Sequence, residues 1–192
     1  MKVSIGKTAI EFVRGDVSVQ KADAIVNAAN SQLAGGGGVD GAIHARGGPA
    51  IMRETERYYP DGCPTGSAVI STAGQLDAKF VIHVVGPVWS GGQQGEAELL
   101  ADAYRACLRL AIDHDCQSIA FPSLSTGAYG YPIDQAAHVA LATICDFTQS
   151  EGGPALVRFV LFESSVWQRF VLTLEEITSP QRRRSSDSVP DE

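Results

Sequence analysis

Between residues 27 and 44 the chain reads NAANSQLAGGGGVDGAIH, setting Asn27, Asn30 and Asp40 around four consecutive glycines, Gly35 to Gly38. Glycine lets a backbone approach a ligand closely and turn its N–H groups toward it. Ahead of a helix N-terminus, such a run makes an anion cradle. The pattern predicts a helix opening at Val39 or Asp40. A flexible surface turn is the plain alternative. A glycine run is entropically costly inside a compact domain, however, and polar residues bracket this one. A second segment, PSLSTGAYGYP (residues 122–132), gathers Ser123, Ser125, Thr126, Gly127 and Gly130 ahead of a helix predicted to start at Pro132. It offers another set of N–H donors, and Tyr129 can cover a sugar face. Two cradles suit a pyrophosphate better than a single phosphate.

Other chemistries fit less well. Gly36, Gly38 and Gly41 satisfy G-x-G-x-x-G. That fingerprint should follow its strand directly, and the next strand should end in an acid for the ribose. Here eight residues, NAANSQLA, intervene, and the next strand ends in Ser71 and Thr72. A nicotinamide dehydrogenase is therefore a distant rival. Gly6-Lys7-Thr8 imitates the end of a P-loop only by accident. There is no H-E-x-x-H, no cysteine pair with zinc spacing and no G-x-S-x-G, so neither a metal centre nor a serine triad is expected. His83, inside FVIHVV, reads as a satisfied core residue, and His44 as a packing or hydrogen-bonding residue of a helix. His114 and His138 look like ordinary helix residues. Asp40 taken alone is equally a helix cap, and Asp16 a turn residue.

The elements that must hold these loops alternate along the chain. Strands are expected at residues 10–13, 24–26, 68–71, 80–85, 118–121 and 156–162. Helices are expected at 96–114, where apolar residues recur with a 3.6 period, and at 133–147 and 167–177. This alternation predicts a three-layer α/β/α sandwich with a mixed, largely parallel central sheet, its ligand loops at the carboxyl ends of the strands. One domain is expected over residues 1–178. From Ser179 onward, SPQRRRSSDSVPDE reads as a polar, disordered tail. Of the 192 residues, 44% are hydrophobic and 19% charged, an ordinary globular balance. The net charge of −7 argues against extended nucleic-acid binding, which needs a basic face, but not against a small anion held by backbone amides. No apolar run spans a bilayer and no secretory signal is evident, so a cytoplasmic protein with reduced cysteines is expected.

With these residues in view, the sequence resembles the macrodomain family, in the branch of O-acetyl-ADP-ribose deacetylases and mono-ADP-ribosyl-protein hydrolases. The resemblance rests on NAANSQLAGGGGVDGAIH and SLSTGAYGYP, with support from Gly15-Asp16-Val17 and VRFVLFES (residues 157–164). It covers roughly residues 3–178. It implies that Asp16 accepts from the adenine amino group with Val17 beside it, and that Phe162 stacks on adenine. Gly37, Gly38 and Val39 would bind the pyrophosphate from one side. Ser125, Thr126, Gly127, Ala128 and Tyr129 would bind it from the other, Tyr129 lying near the distal ribose. Asn30 and Asp40 would form the catalytic pair. The implied reaction is metal- and cofactor-free hydrolysis of an acyl ester on that ribose. Substrates would be O-acetyl-ADP-ribose or proteins mono-ADP-ribosylated on Asp or Glu. A non-catalytic ADP-ribose reader, or a hydrolase of ADP-ribose on nucleic-acid ends, are the alternatives. Arg46 departs from the family pattern, which has a small residue there.

Overall fold

The computed structural model describes residues 1–179, so the expected tail falls outside the described residues except for Ser179. Among the described residues, seven strands form one sheet in the order β1-β2-β7-β6-β3-β5-β4. They are β1 (Lys2–Ile5), β2 (Thr8–Arg14), β3 (Ala24–Ala28), β4 (Ala68–Thr72), β5 (Phe80–Val84), β6 (Ser118–Phe121) and β7 (Leu156–Leu161). The five central strands run parallel, and β1 and β4 are antiparallel edges. Five α-helices of the described residues cover the sheet: α1 (Gly38–Gly47), α2 (Pro49–Tyr58), α3 (Glu96–Asp113), α4 (Ile133–Ser150) and α5 (Ser164–Thr178).

The layers follow from the two-residue period of the strands. Val26, Ile82, Phe121 and Phe159 point to one face and pack with Leu100 and Leu108 of α3, Leu141 of α4 and Phe170 of α5. Their sequence neighbours Ile25, Val81, Ala120 and Val160 point to the other face and pack with Ile43 of α1 and Ile51 of α2. Strands buried on both faces have to be apolar throughout, which is why they read as continuous hydrophobic runs. Phe159 anchors the larger core, with ring centroids 5.8 Å from Phe12, 5.8 Å from Phe121 and 5.1 Å from Phe170.

The expected sandwich is the one observed, with differences at its margins. β1 was not anticipated: it is four residues long, with exposed and half-buried positions alternating, too little apolar sequence to announce a strand. Nor was α2, which buries only Ile51 and Thr55 and starts on Pro49, a favoured first helical residue. The strand expected to run through Val85 stops at Val84. The one expected to include Phe162 ends at Leu161, which releases Phe162 into a loop. Two of the expected helices are longer than anticipated, α4 reaching Ser150 and α5 starting at Ser164, while α3 ends at Asp113, one residue short of the expected 114. Arg46 is exposed, so its departure from the family pattern disturbs no packing. No helix among the described residues is long and apolar enough to cross a membrane.

Candidate functional site

The loops that follow β2, β3, β5, β6 and β7 all leave the sheet at the carboxyl ends of its parallel strands. They surround a cleft there. Its two lobes share Gly38, Val39, Ser123 and Gly127 as lining, so they are one continuous groove. The first lobe, about 450 Å³, is lined among others by Asp16, Val17, Thr126, Leu161 and Phe162. The second, about 380 Å³, is lined by Asn30, Gly37, Asp40, Ser125, Ala128 and Tyr129 with their neighbours. All thirteen residues to which the resemblance gives a role therefore line a single groove, whereas Asn27 does not line it.

Its floor is made of backbone. Helix α1 begins at Gly38 after an extended Gly37, and no side chain of the described residues caps it. The amides of Gly38, Val39 and Asp40 accordingly have no hydrogen-bond acceptor among the described residues, and they point out of the helix end where the dipole favours an anion. Gly38 has φ +58°, a conformation in which a side chain is strained. In the loop after β6 three carbonyls are engaged: Tyr131 N–H donates to Ser125 O at 3.0 Å, Gly130 N–H to Gly127 O at 2.9 Å, and Trp89 N–H of the loop after β5 to Tyr129 O at 2.9 Å. The five successive N–H groups of Ser125 to Tyr129 donate to no acceptor among the described residues. Ser125 itself sits at φ +63°, rare for a residue with a side chain, which marks a backbone bent for a purpose other than packing.

At the first lobe, Asp16 caps a short 3-10 turn, Val17–Val19. Its Oδ1 accepts from Ser18 N–H at 2.8 Å and from the Ser18 hydroxyl at 2.7 Å. The cap reading and the ligand reading are thus compatible, since Oδ2 is not used by that turn. Phe162 is 80% exposed, a large apolar ring at the groove edge left largely uncovered by the described residues.

At the second lobe Asp40 is buried and hydrogen-bonded from one side only. Oδ1 accepts from Asn27 Nδ2 at 2.5 Å and lies 3.3 Å from His44 Nε2, one helical turn on. Burial works against its charge. The His44 and Asn27 contacts, aided by the fields of His44 and His83, outweigh that and hold the carboxyl below its ordinary value. Oδ2 faces Gly36, where a Cβ would lie 3.2 Å away, and 3.9 Å from Asn30 Nδ2. Asn30 is largely committed to the loop: Oδ1 accepts from the N–H groups of Gln32 and Ala34, and Nδ2 donates to Gly35 O at 2.7 Å. One amide N–H remains for a ligand, fewer contacts than the sequence suggested. Among the described residues, the buried side-chain atoms lacking a partner are Asp40 Oδ2, Asn27 Oδ1 and Ser125 Oγ. Buried polar atoms are normally paired; of these exceptions, Asp40 and Ser125 line the groove and Asn27 is bonded to Asp40 from behind it.

A profile described as Macro domain matches residues 26–140, which hold both loops. The chain belongs to the Macro domain family. Among its relatives, a macro domain-containing protein of Caldanaerobacter subterraneus is 50% identical over 173 residues, spanning 89% of this macrodomain and 98% of that protein. The O-acetyl-ADP-ribose deacetylase of Salmonella typhimurium is 49% identical over 169 residues, 87% of this chain and 94% of its own. Among solved structures, the Oceanobacillus iheyensis macrodomain with ADP superimposes with a TM-score of 0.87 at 42% identity, covering 92% of this chain and 95% of that one.

Sequence reasoning missed several parts of the site. Gly86, just past β5, lines the second lobe, and a Cβ there would collide with Ser125 Oγ. Its position at the end of a parallel strand was the available signal. Asn27 was read only as part of the motif. Its buried contact to Asp40 depends on the placement of β3 beside α1, which no local pattern encodes.

Proposed function

We propose that this macrodomain binds ADP-ribose and hydrolyses an acyl ester on its distal ribose, O-acetyl-ADP-ribose being the first substrate to consider. The observation that carries the reading is the pair of unpaired N–H rows, Gly38–Asp40 and Ser125–Tyr129, lining one groove. Such rows bind a diphosphate without cationic side chains, as suits an acidic chain. Asp16 Oδ2 accepts from the adenine amino group, Val17 lies against the base, and Phe162 stacks on it. Gly37, Gly38 and Val39 face the pyrophosphate across from Thr126, Gly127 and Ala128. Tyr129 flanks the distal ribose, and the free N–H of Asn30 donates to one of its hydroxyls.

In the reaction, Asp40 Oδ2 accepts a hydrogen bond from a water and aims its oxygen at the ester carbonyl. With a depressed pKa the carboxylate is a weak base. It therefore orients the water first and takes the proton only as the carbon–oxygen bond forms and the water grows acidic. The tetrahedral intermediate then collapses, the bond from acyl carbon to ribose oxygen breaks, and that oxygen takes the proton. A free carboxylic acid and ADP-ribose leave. Amides of the second loop stabilise negative charge developing near the ester. The same step on an Asp or Glu ester would restore the free side chain of a mono-ADP-ribosylated protein. Relatives named O-acetyl-ADP-ribose deacetylase at 49% identity support the small-molecule substrate.

The test is incubation with O-acetyl-ADP-ribose and, in parallel, with a glutamate-ADP-ribosylated protein, following release of ADP-ribose. Turnover of either establishes hydrolysis and ranks the substrates. Tight ADP-ribose binding by calorimetry with both substrates intact would make this a reader instead.

A further inference from the structure

Behind Asp40 lies a buried line of polar side chains, Asn27, His83 and Ser71, none of which itself lines the groove. His83 of β5 is 1% exposed, and both ring nitrogens are engaged by side chains: Nδ1 stands 3.1 Å from Asn27 Nδ2 of β3, and Nε2 stands 2.9 Å from Ser71 Oγ of β4. The Ser71 hydroxyl donates to Thr72 O at 3.0 Å, so its oxygen accepts from His83. The Asn27 amide nitrogen can only donate. Both ends thus demand one tautomer, with the proton on Nε2 and the lone pair on Nδ1. Asn27 then spends one N–H on His83 and the other on Asp40 Oδ1.

We propose that His83 is a positioning residue: by fixing the Asn27 amide, it holds Asp40 with Oδ1 occupied and Oδ2 turned to the groove. The inference rests on the hydrolytic reading above. It also explains why a histidine, costly to bury, lies in an otherwise apolar strand. A backbone carbonyl could satisfy a core histidine, whereas this one is met by two side chains, one of which grips the carboxylate. Were the ring proton on Nδ1, it would confront the Asn27 N–H. The amide would turn and present its oxygen to Asp40 Oδ1, acceptor against acceptor, and the carboxylate would swing away. Burial, reinforced by the charge of His44 and opposed by that of Asp40, pushes the His83 pKa down to about 4, so the ring is neutral at working pH. The arrangement joins β4, β5, β3 and α1 in a single chain of donors and acceptors, each of whose members is necessary to the next.

Ser71 gives the mildest way to disturb it, because Ser71→Ala removes the acceptor of the Nε2 proton without changing His83, and Ser71→Thr restores a hydroxyl on a strand. Nitrogen NMR of the imidazole in the full chain should show the Nε2–H form across neutral pH. In Ser71→Ala that preference should weaken, kcat on O-acetyl-ADP-ribose should fall about tenfold, as loss of a buried hydrogen bond implies, and KM and ADP-ribose affinity should stay within about twofold. Ser71→Thr should recover kcat. The carboxyl carbon signal of Asp40 should titrate at higher pH in Ser71→Ala than in the parent. An Nδ1–H ring in the parent, or an unchanged kcat in Ser71→Ala, overturns the proposal. If the parent leaves the ester intact, the hydrolytic reading fails and the Asp40 carbon decides alone. Its displacement in Ser71→Ala supports the positioning, and its constancy overturns it.

Discussion

The two oxygens of Asp40 have different neighbours, and the difference defines what substitutions there should do. Oδ1 is bound by Asn27 and approached by His44, while Oδ2 has no partner among the described residues and faces Gly36. Asp40→Asn keeps size and much of the packing but removes the acceptor that would take a proton. We expect turnover to fall by about a hundredfold or more, the usual range for a lost general base, with ADP-ribose affinity changed only a few-fold. Comparing initial rates with a calorimetric titration checks both halves, and near-normal turnover would remove Asp40 from the mechanism. Because the carboxyl is held below its ordinary value, the rate of the parent should not decline on acidification until the pH drops below the usual aspartate range, about 4. Phe162 behaves differently. Being 80% exposed, it contributes little to folding, so Phe162→Ala should leave the melting temperature nearly unchanged. Loss of a stacked aromatic should weaken ADP-ribose binding by about 1–3 kcal/mol, readable in the same titration.

Loops and helix ends set the shape of the groove through close backbone approach. A Cβ at Gly41 would lie 2.8 Å from Gly36 O, so the glycine loop folds back onto the first turn of α1 only because position 41 is bare. The loop after β6 is held against the loop after β5 in a comparable way: Trp89 N–H donates to Tyr129 O, and the Trp89 and Tyr131 rings lie 4.6 Å apart. The loop after β5 is itself tied down by the Glu96 carboxylate, which accepts from the N–H groups of Ser90, Gly92 and Gln94. Gly86→Ala should push Ser125 out of its position, since the new methyl would occupy the place of its hydroxyl. We expect a marked loss of ADP-ribose affinity with the circular dichroism spectrum preserved. Unchanged affinity would mean the row of amides after β6 does not hold the ligand.

The whole molecule stores a pH dependence in its buried histidine. His83 has a folded pKa of about 4 against the 6.5 of a solvated histidine, so between those values the unfolded chain binds a proton that the folded chain refuses. Stability should therefore be full above about pH 6.5 and should fall as the pH drops toward 4, by on the order of 3 kcal/mol. Urea unfolding at pH 7 and pH 4.5, in the parent and in a His83→Gln variant, should show the slope shrinking in the variant. Core packing is the other large contribution. Phe159→Ala, which leaves Phe12, Phe121 and Phe170 facing a cavity, should cost about 3–5 kcal/mol by the same unfolding experiment.

Local chemistry was readable without coordinates wherever neighbours in the chain create it. Glycines able to turn amides outward, small residues ahead of a helix and apolar runs buried on two faces all act over a few residues. Their pattern announced the sandwich and the two glycine-rich loops at its strand ends, whereas Asp40 read alone was equally a helix cap and stood out only through the resemblance to the family. Long-range pairing was not readable. That His83 meets Asn27 across adjacent strands, that Ser125 presses on Gly86, and that most of Asn30 is spent on its own loop depend on strand order and register. Those are set by packing summed over the entire core, and no window of sequence carries that sum.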